Sequence, residues 1–176
     1  MTKKVISTYA HDERMKLENH FTNIEEICNL LHLMPVATDL AASLCGEKLG
    51  AGAFRSVHNY NLDPKYVIKI EPLNTQCNVT EYMLWNEIQH LTGPLAWVKD
   101  WFAPVKWISP NGRLLVMEKT KVIPSRKKPT RIPKFMWDVK EENFGWIGKN
   151  YVCHDYGQFY NFIHYSKTMV DVGDRW

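Results

Sequence analysis

The sequence predicts an α+β fold: N-terminal helices, then a stretch of four strands and one helix, then a helix-poor, aromatic-rich C-terminal part. Three observations predict this. Residues 47–121 alternate in the order strand, strand, helix, strand, strand. Residues 21–34 carry apolar side chains at helical spacing, whereas the last third has no long helical pattern. That last third is instead crowded with aromatic rings, which can fill a small core from few residues.

Residues 1–46 form the expected N-terminal helical segment. In "FTNIEEICNLLHLM", Ile24, Ile27, Leu30, Leu31 and Met34 share one face. Thr22 stands three residues before Glu25, a capping-box pattern, and Pro35 ends the helix. A second short helix fits "ATDLAASLCG", with Leu40 and Leu44 on one face and Gly46 at its end. In residues 47–121, "EKLGAGAFRSVHNY" and "KYVIKIEP" read as two strands joined by a turn at "NLDP". "NVTEYMLWNEIQHLTG" reads as a helix, with Thr80 as candidate cap and Gly93 as stop. "WFAPVKWIS" and "RLLVMEKT" read as a hairpin about "PNG". Residues 122–176 begin with a basic, proline-flanked run and continue into the aromatic stretch from Phe135 to Trp176.

Composition narrows the class. The chain has 176 residues, 45% apolar and 23% charged, the balance of a folded protein of one domain or two small lobes. No apolar run approaches the roughly 18 residues of a membrane span. The opening "MTKKVISTYAHDERMK" lacks the apolar core of a secretory signal, so a cytoplasmic location is expected. Cys28, Cys45, Cys77 and Cys153 are scattered without a C-x-x-C, which fits reduced thiols and neither a disulfide framework nor a zinc site. A net charge of +3 is too small to argue for nucleic acid. The run "SRKKPTR" (Ser125 to Arg131) reads either as a solvated loop or as a patch for an anionic partner. No aromatic residue lies between Val122 and Lys134, so single-strand stacking is not expected there.

Several residues carry chemistry. Gly50 and Gly52 in "LGAGAFRSV" let a phosphate approach the backbone, although a tight strand turn would also use them. Lys69 sits inside the apolar strand "YVIKIE", where an ammonium needs an anionic partner. Glu87 borders the expected apolar stripe of the following helix and is the chosen partner. Glu81 is the rival, but a carboxylate near a helix start already suits the macrodipole. Further on, Asp138, Lys140 and Asn143 are spaced D-x-K-x-x-N, and Asp155-Tyr156-Gly157 follows 12 residues beyond Asn143.

Taken in order, these motifs resemble the protein-kinase-like superfamily over residues 47–157. A weaker resemblance links "LAASLCGEKLGAGAFRSVH" and "YVIKIEP" to phage-encoded serine/threonine kinases. The resemblance implies a kinase-like N-lobe over residues 47–121 (a twisted antiparallel sheet with one helix), a truncated, much reduced C-lobe over 122–176, and a site for ATP and Mg²⁺. Gly50, Gly52 and Val57 would cover the phosphates, and Val67 and Met117 would line the adenine slot. Glu118 to Thr120 would offer backbone to the base. Lys69, paired with Glu87, would hold the α- and β-phosphates. Asp138 would orient the acceptor hydroxyl and Lys140 would steady the γ-phosphate. Asn143 and Asp155 would hold the metal, whose preference is for hard oxygen ligands.

The pattern also departs from that family. Arg55 stands at the third glycine of the loop, Val67 replaces a small alanine, and Met136-Trp137 replaces the His-Arg before the catalytic Asp. Only 20 positions separate Glu118 from Asp138, and only 19 residues follow Gly157, so the substrate-docking helices have no room. The expectation is a small kinase-like phosphotransferase acting on a protein substrate. The alternative is a pseudokinase-type binding module, an inhibitor or adaptor of a target protein. Self-association or a partner would complete the reduced lobe, with no membrane and no nucleic acid involved.

Overall fold

The computed structural model describes residues 43–73, 75–136, 138–159 and 166–173, all within one compact unit, Thr38–Trp176. The helix expected over residues 21–34 lies outside the described residues. The fold is α+β. Five antiparallel strands form one sheet in the order β1-β2-β3-β5-β4: β1 (Cys45–Ala51), β2 (Ser56–Tyr60), β3 (Tyr66–Ile70), β4 (Val105–Ile108) and β5 (Leu114–Glu118). One helix, α1 (Cys77–Ile88), enters between β3 and β4.

The stretch expected as a single first strand is a hairpin. Its turn is closed by the Gly52 amide donating to the Arg55 carbonyl at 2.9 Å, and irregular register along β1 bends that edge strand. Gly46, expected to end a helix, lies inside β1. A Cβ there would stand 2.4 Å from Asn61 Oδ1, so close packing rather than capping explains this glycine. β3 and β5 carry the apolar runs because they are interior strands; Leu114, Leu115, Val116 and Met117 are all buried.

α1 begins earlier and ends sooner than its pattern suggests. Gln76 precedes it with φ 63°, and the cap comes from outside the helix: the Glu71 carboxylate accepts from the Gln76 amide at 2.6 Å and the Asn78 amide at 2.8 Å. Thr80, the expected cap, is within the first turn and its hydroxyl donates to the Gln76 carbonyl. Gly93, the expected stop, instead opens a 3₁₀ turn, Gly93–Leu95, with φ 56°. The helix buries Cys77, Asn78, Glu81 and Ile88 and leaves Met83 65% exposed and Glu87 exposed, so the side expected to border the apolar stripe at Glu87 faces outward.

Beyond β5 the described chain holds only short pieces. β6 (Arg131–Pro133) pairs with β9 (Met169–Asp171), and β7 (Phe144–Ile147) pairs with β8 (Asn150–Cys153). Rings supply the packing. Tyr156 is fully buried, meets Phe102 edge-on at 5.1 Å, and donates its hydroxyl to the Ala103 carbonyl at 2.7 Å. Trp146 and Tyr151 lie 4.9 Å apart across the β7–β8 hairpin. Among the described residues no helix is long and apolar enough to cross a membrane.

Candidate functional site

Strand pairing assembles one wall of a cleft. Val57 pairs with Lys69 and Lys69 with Leu115, while Val67 pairs with Met117. Side chains alternate along a strand, so Val67 and Lys69 project to the same face. Val57, Val67, Lys69 and Met117 therefore line a cleft of about 650 Å³, roofed by the β1–β2 turn from Leu49 to Arg55. Glu118, Lys119 and Thr120 line it at the exit of β5. Asp138, Lys140, Asn143 and Asp155 line it from the C-terminal segments. Residues separated by up to about 100 positions thus meet around one space.

Lys69 is 3% exposed, and its Nζ donates to both carboxylate oxygens of Glu81 at 2.9 Å and to the His154 carbonyl at 2.5 Å. An unpaired ammonium buried this deeply would cost several kcal/mol, and the bidentate carboxylate offsets that cost. The expected partner was Glu87. It is exposed on α1, while the i, i+4, i+7, i+11 stripe from Cys77 points Glu81 at β3. The macrodipole therefore does not account for Glu81. Its Oε1 also accepts from Arg55 Nη2 at 2.8 Å and from the Tyr156 amide at 3.0 Å.

The electrostatics follow from this crowding. Burial works to raise the Glu81 carboxyl, but the Arg55 and Lys69 cations overcome it and hold the group at about 2. Burial draws Lys69 below the usual ammonium range against the pull of Glu81. Burial also opposes the Arg55 charge, yet Glu81 and Asp155 together hold Arg55 above its ordinary value.

The C-terminal side of the cleft is tied together by polar side chains. Asn143 Nδ2 donates to the Asp138 carbonyl at 3.2 Å and to Asp138 Oδ2 at 3.0 Å, and Lys140 Nζ stands 3.3 Å from Asp138 Oδ1. His154 Nε2 donates to the Glu142 carbonyl, which leaves Nδ1 to accept from the Thr120 hydroxyl, both at 2.9 Å. Burial, helped by Lys69, lowers His154 to about 4, so the ring is neutral near pH 7. Gly157 is required by packing. A Cβ there would meet Cys77 Cβ at 2.8 Å and the Cys77 carbonyl at 2.9 Å.

Gly50 and Gly52 are different. A Cβ on either would meet nothing within 4 Å, and neither has a positive φ. Neither the chain's own packing nor its backbone conformation calls for glycine at these positions. At the β5 exit the Glu118 amide donates to the Pro104 carbonyl and the Lys119 amide to the Lys65 carbonyl, both at 2.8 Å. Among the described residues this leaves the Thr120 amide as the donor of the three without such a bond.

A divalent ion has a limited donor set here. No group of three His, Cys, Asp or Glu residues that could hold a metal occurs among the described residues. Asn143 commits its amide nitrogen to Asp138, which leaves its Oδ1 as an acceptor, and the Asp155 side chain is 52% exposed. One carboxylate and one amide oxygen suit Mg²⁺ completed by phosphate and water, and do not suit a metal caged by protein alone.

All of the expected site residues except Glu87 line the cleft. Sequence reasoning passed over Glu81's role, His154 and Arg55. Arg55 had been read only as a replaced glycine, although a long cation in a turn of small residues is itself a signal. The basic run contributes to the fold. Arg126 lies 4.6 Å from the Trp146 ring centre and donates to the Gly148 carbonyl, Lys128 pairs with Glu141 at 2.5 Å, and Arg131 donates to the Met169 carbonyl. A scan of protein-family models finds no match to this chain, and a search of curated proteins finds none.

Proposed function

We propose that the cleft takes ATP with Mg²⁺ and that the protein is a small protein-kinase-like phosphotransferase acting on a protein hydroxyl. One observation carries the reading: Lys69, Asp138, Asn143 and Asp155 line a single cleft beneath two glycines that the chain's own packing does not require. Glycines facing open space are what a phosphate chain laid against the backbone would need.

Phosphoryl transfer asks chiefly for positioning and charge neutralisation. Lys69, oriented by Glu81, is the fixed cation for the α- and β-phosphates. Val57, Val67 and Met117 give the base an apolar slot, with the Thr120 amide as donor at its edge. Asp138, held by Asn143, accepts the proton of the attacking hydroxyl, and Lys140 steadies the terminal phosphate. Bound Mg²⁺ neutralises phosphate charge, and Asn143 Oδ1 and Asp155 are the side chains that would hold it.

One feature favours a second reading, a nucleotide-binding module that does not transfer phosphate: the Asp155 carboxylate is already paired with Arg55. Thermal unfolding with and without Mg-ATP, alongside transfer of labelled γ-phosphate to itself and to casein, separates the two. ATP at 100 times Kd stabilises by about 2.7 kcal/mol. The phosphotransferase shifts and labels, Asp138→Asn shifts without labelling, and Lys69→Met does neither. A shift in wild type with no label leaves the module reading. No shift at all removes both.

A further inference from the structure

Arg55 stitches three segments together. From the end of the β1–β2 turn its guanidinium reaches Asn78 Oδ1 on α1 at 3.2 Å, Glu81 Oε1 at 2.8 Å, and Asp155 Oδ1 at 2.5 Å. The two ends of this contact differ. Asn78 and Glu81 are fully buried, and Glu81 is held in ionised form by two cations. Asp155 is half exposed and lines the open cleft. If the guanidinium releases Asp155, it keeps its buried hydrogen-bond partners, Asn78 and Glu81. If Asp155 is taken by another cation, the carboxylate is compensated. The buried end is therefore permanent and the exposed end exchangeable.

We propose that Arg55 is a cation latch on Asp155: a divalent ion binding this carboxylate must take it from the guanidinium, which raises the ion concentration the cleft requires. The inference deepens the function proposed above, in which Asp155 holds the metal. Arg55 acts through Asp155 and is a positioning residue, not a catalytic one. A charged pair with one exposed partner gives a modest competition, worth about tenfold in ion affinity. Release would also leave Lys69 and Arg55 facing Glu81 alone, one positive charge in excess beside the cleft where phosphate would lie.

Mn²⁺ binding to the full chain without nucleotide, read from the free-ion electron paramagnetic resonance signal, tests the latch. Arg55→Gln should bind Mn²⁺ about tenfold more tightly than wild type. In an Asp155→Asn background the same change should have no effect, which a general loss of positive charge would not reproduce. Equal or weaker binding by Arg55→Gln, an effect that persists without Asp155, or no Mn²⁺ binding by any variant each overturns the proposal. Should Arg55→Gln fail to fold, the wild type decides. Its Arg55 guanidinium signals in a ¹⁵N-arginine spectrum should move on Mg²⁺ addition, and signals that stay in place overturn the latch. Where Mg-ATP leaves the melting temperature unchanged but the Mn²⁺ effect is present, the phosphotransferase reading falls and the latch stands.

Discussion

The five-stranded sheet and the segments after β5 solve the same problem by different means. Both must hold charged or polar groups against one cleft. In the sheet, register does the holding: Lys69 is fixed by its pairing with Val57 and Leu115, and α1 delivers Glu81 to it. After β5, Asp138 and Asn143 hold each other, Asn143 at the end of a short 3₁₀ turn, while Asp155 follows β8 beside the buried Tyr156 ring and is held by Arg55. Regular structure positions a residue through many weak repeated bonds, so a single lost contact is shared among neighbours. A loop positions a residue through a few specific bonds, so each carries more. The exception is where the two regions are joined, because Glu81 accepts bonds from β3, from the β1–β2 turn and from Tyr156.

That junction gives the largest expected effect. Glu81→Gln leaves Lys69 and Arg55 buried against a neutral amide and should cost about 3–5 kcal/mol. Urea unfolding should show this for Glu81→Gln and a change within about 0.5 kcal/mol for the exposed Glu87→Gln. Equal losses would erase the distinction between a residue at the junction and one on the helix surface.

Next in size is a pH effect confined to the loop region. His154 is lowered from 6.5 to about 4 in the fold, so between those values the unfolded chain binds a proton that the folded chain does not. Stability from this group is complete above pH 6.5, falls as pH drops toward 4, and is flat below. The loss totals about 3 kcal/mol. Glu81 adds its own loss only below about 4.5. Unfolding measured between pH 7.5 and 5 stays above the range of Glu81, and His154→Gln should remove the part of that limb that His154 supplies. A wild-type slope in the variant would assign the effect elsewhere.

The smallest expected effect compares glycines. Gly157→Ala forces a Cβ into Cys77 and should cost about 1–3 kcal/mol. Gly50→Ala meets nothing and should stay within about 0.5 kcal/mol in stability while weakening ATP-induced stabilisation. Thermal unfolding with and without Mg-ATP reads both. A large stability loss at Gly50 would return that glycine to an ordinary structural role.

How much of this was legible beforehand varied with the range of the interaction. The hairpin at "PNG" and the apolar interior strand were readable, because each rests on side-chain type and spacing, whereas the residues that line the cleft were expected only through the family resemblance. The helix boundary was not readable, since its cap is Glu71, a residue of the preceding turn rather than of the helix. The Lys69 partner was misread for a related reason. The expected apolar stripe put Glu87 at its border, but the stripe that packs inward runs through Cys77, Glu81 and Ile88 and leaves Met83 and Glu87 exposed.

Strand-like apolar runs and turn residues are local properties, and the chain alone was enough to establish an α+β sheet domain. Ion pairing belongs to the other category. Which carboxylate meets Lys69, that Arg55 shares it, and that Arg55 also claims Asp155 depend on how α1 is rotated against the sheet and how closely its start packs on Gly157. Those contacts join residues 12 to 100 positions apart, and Coulomb energy falls with distance in space, of which spacing along the chain is no measure.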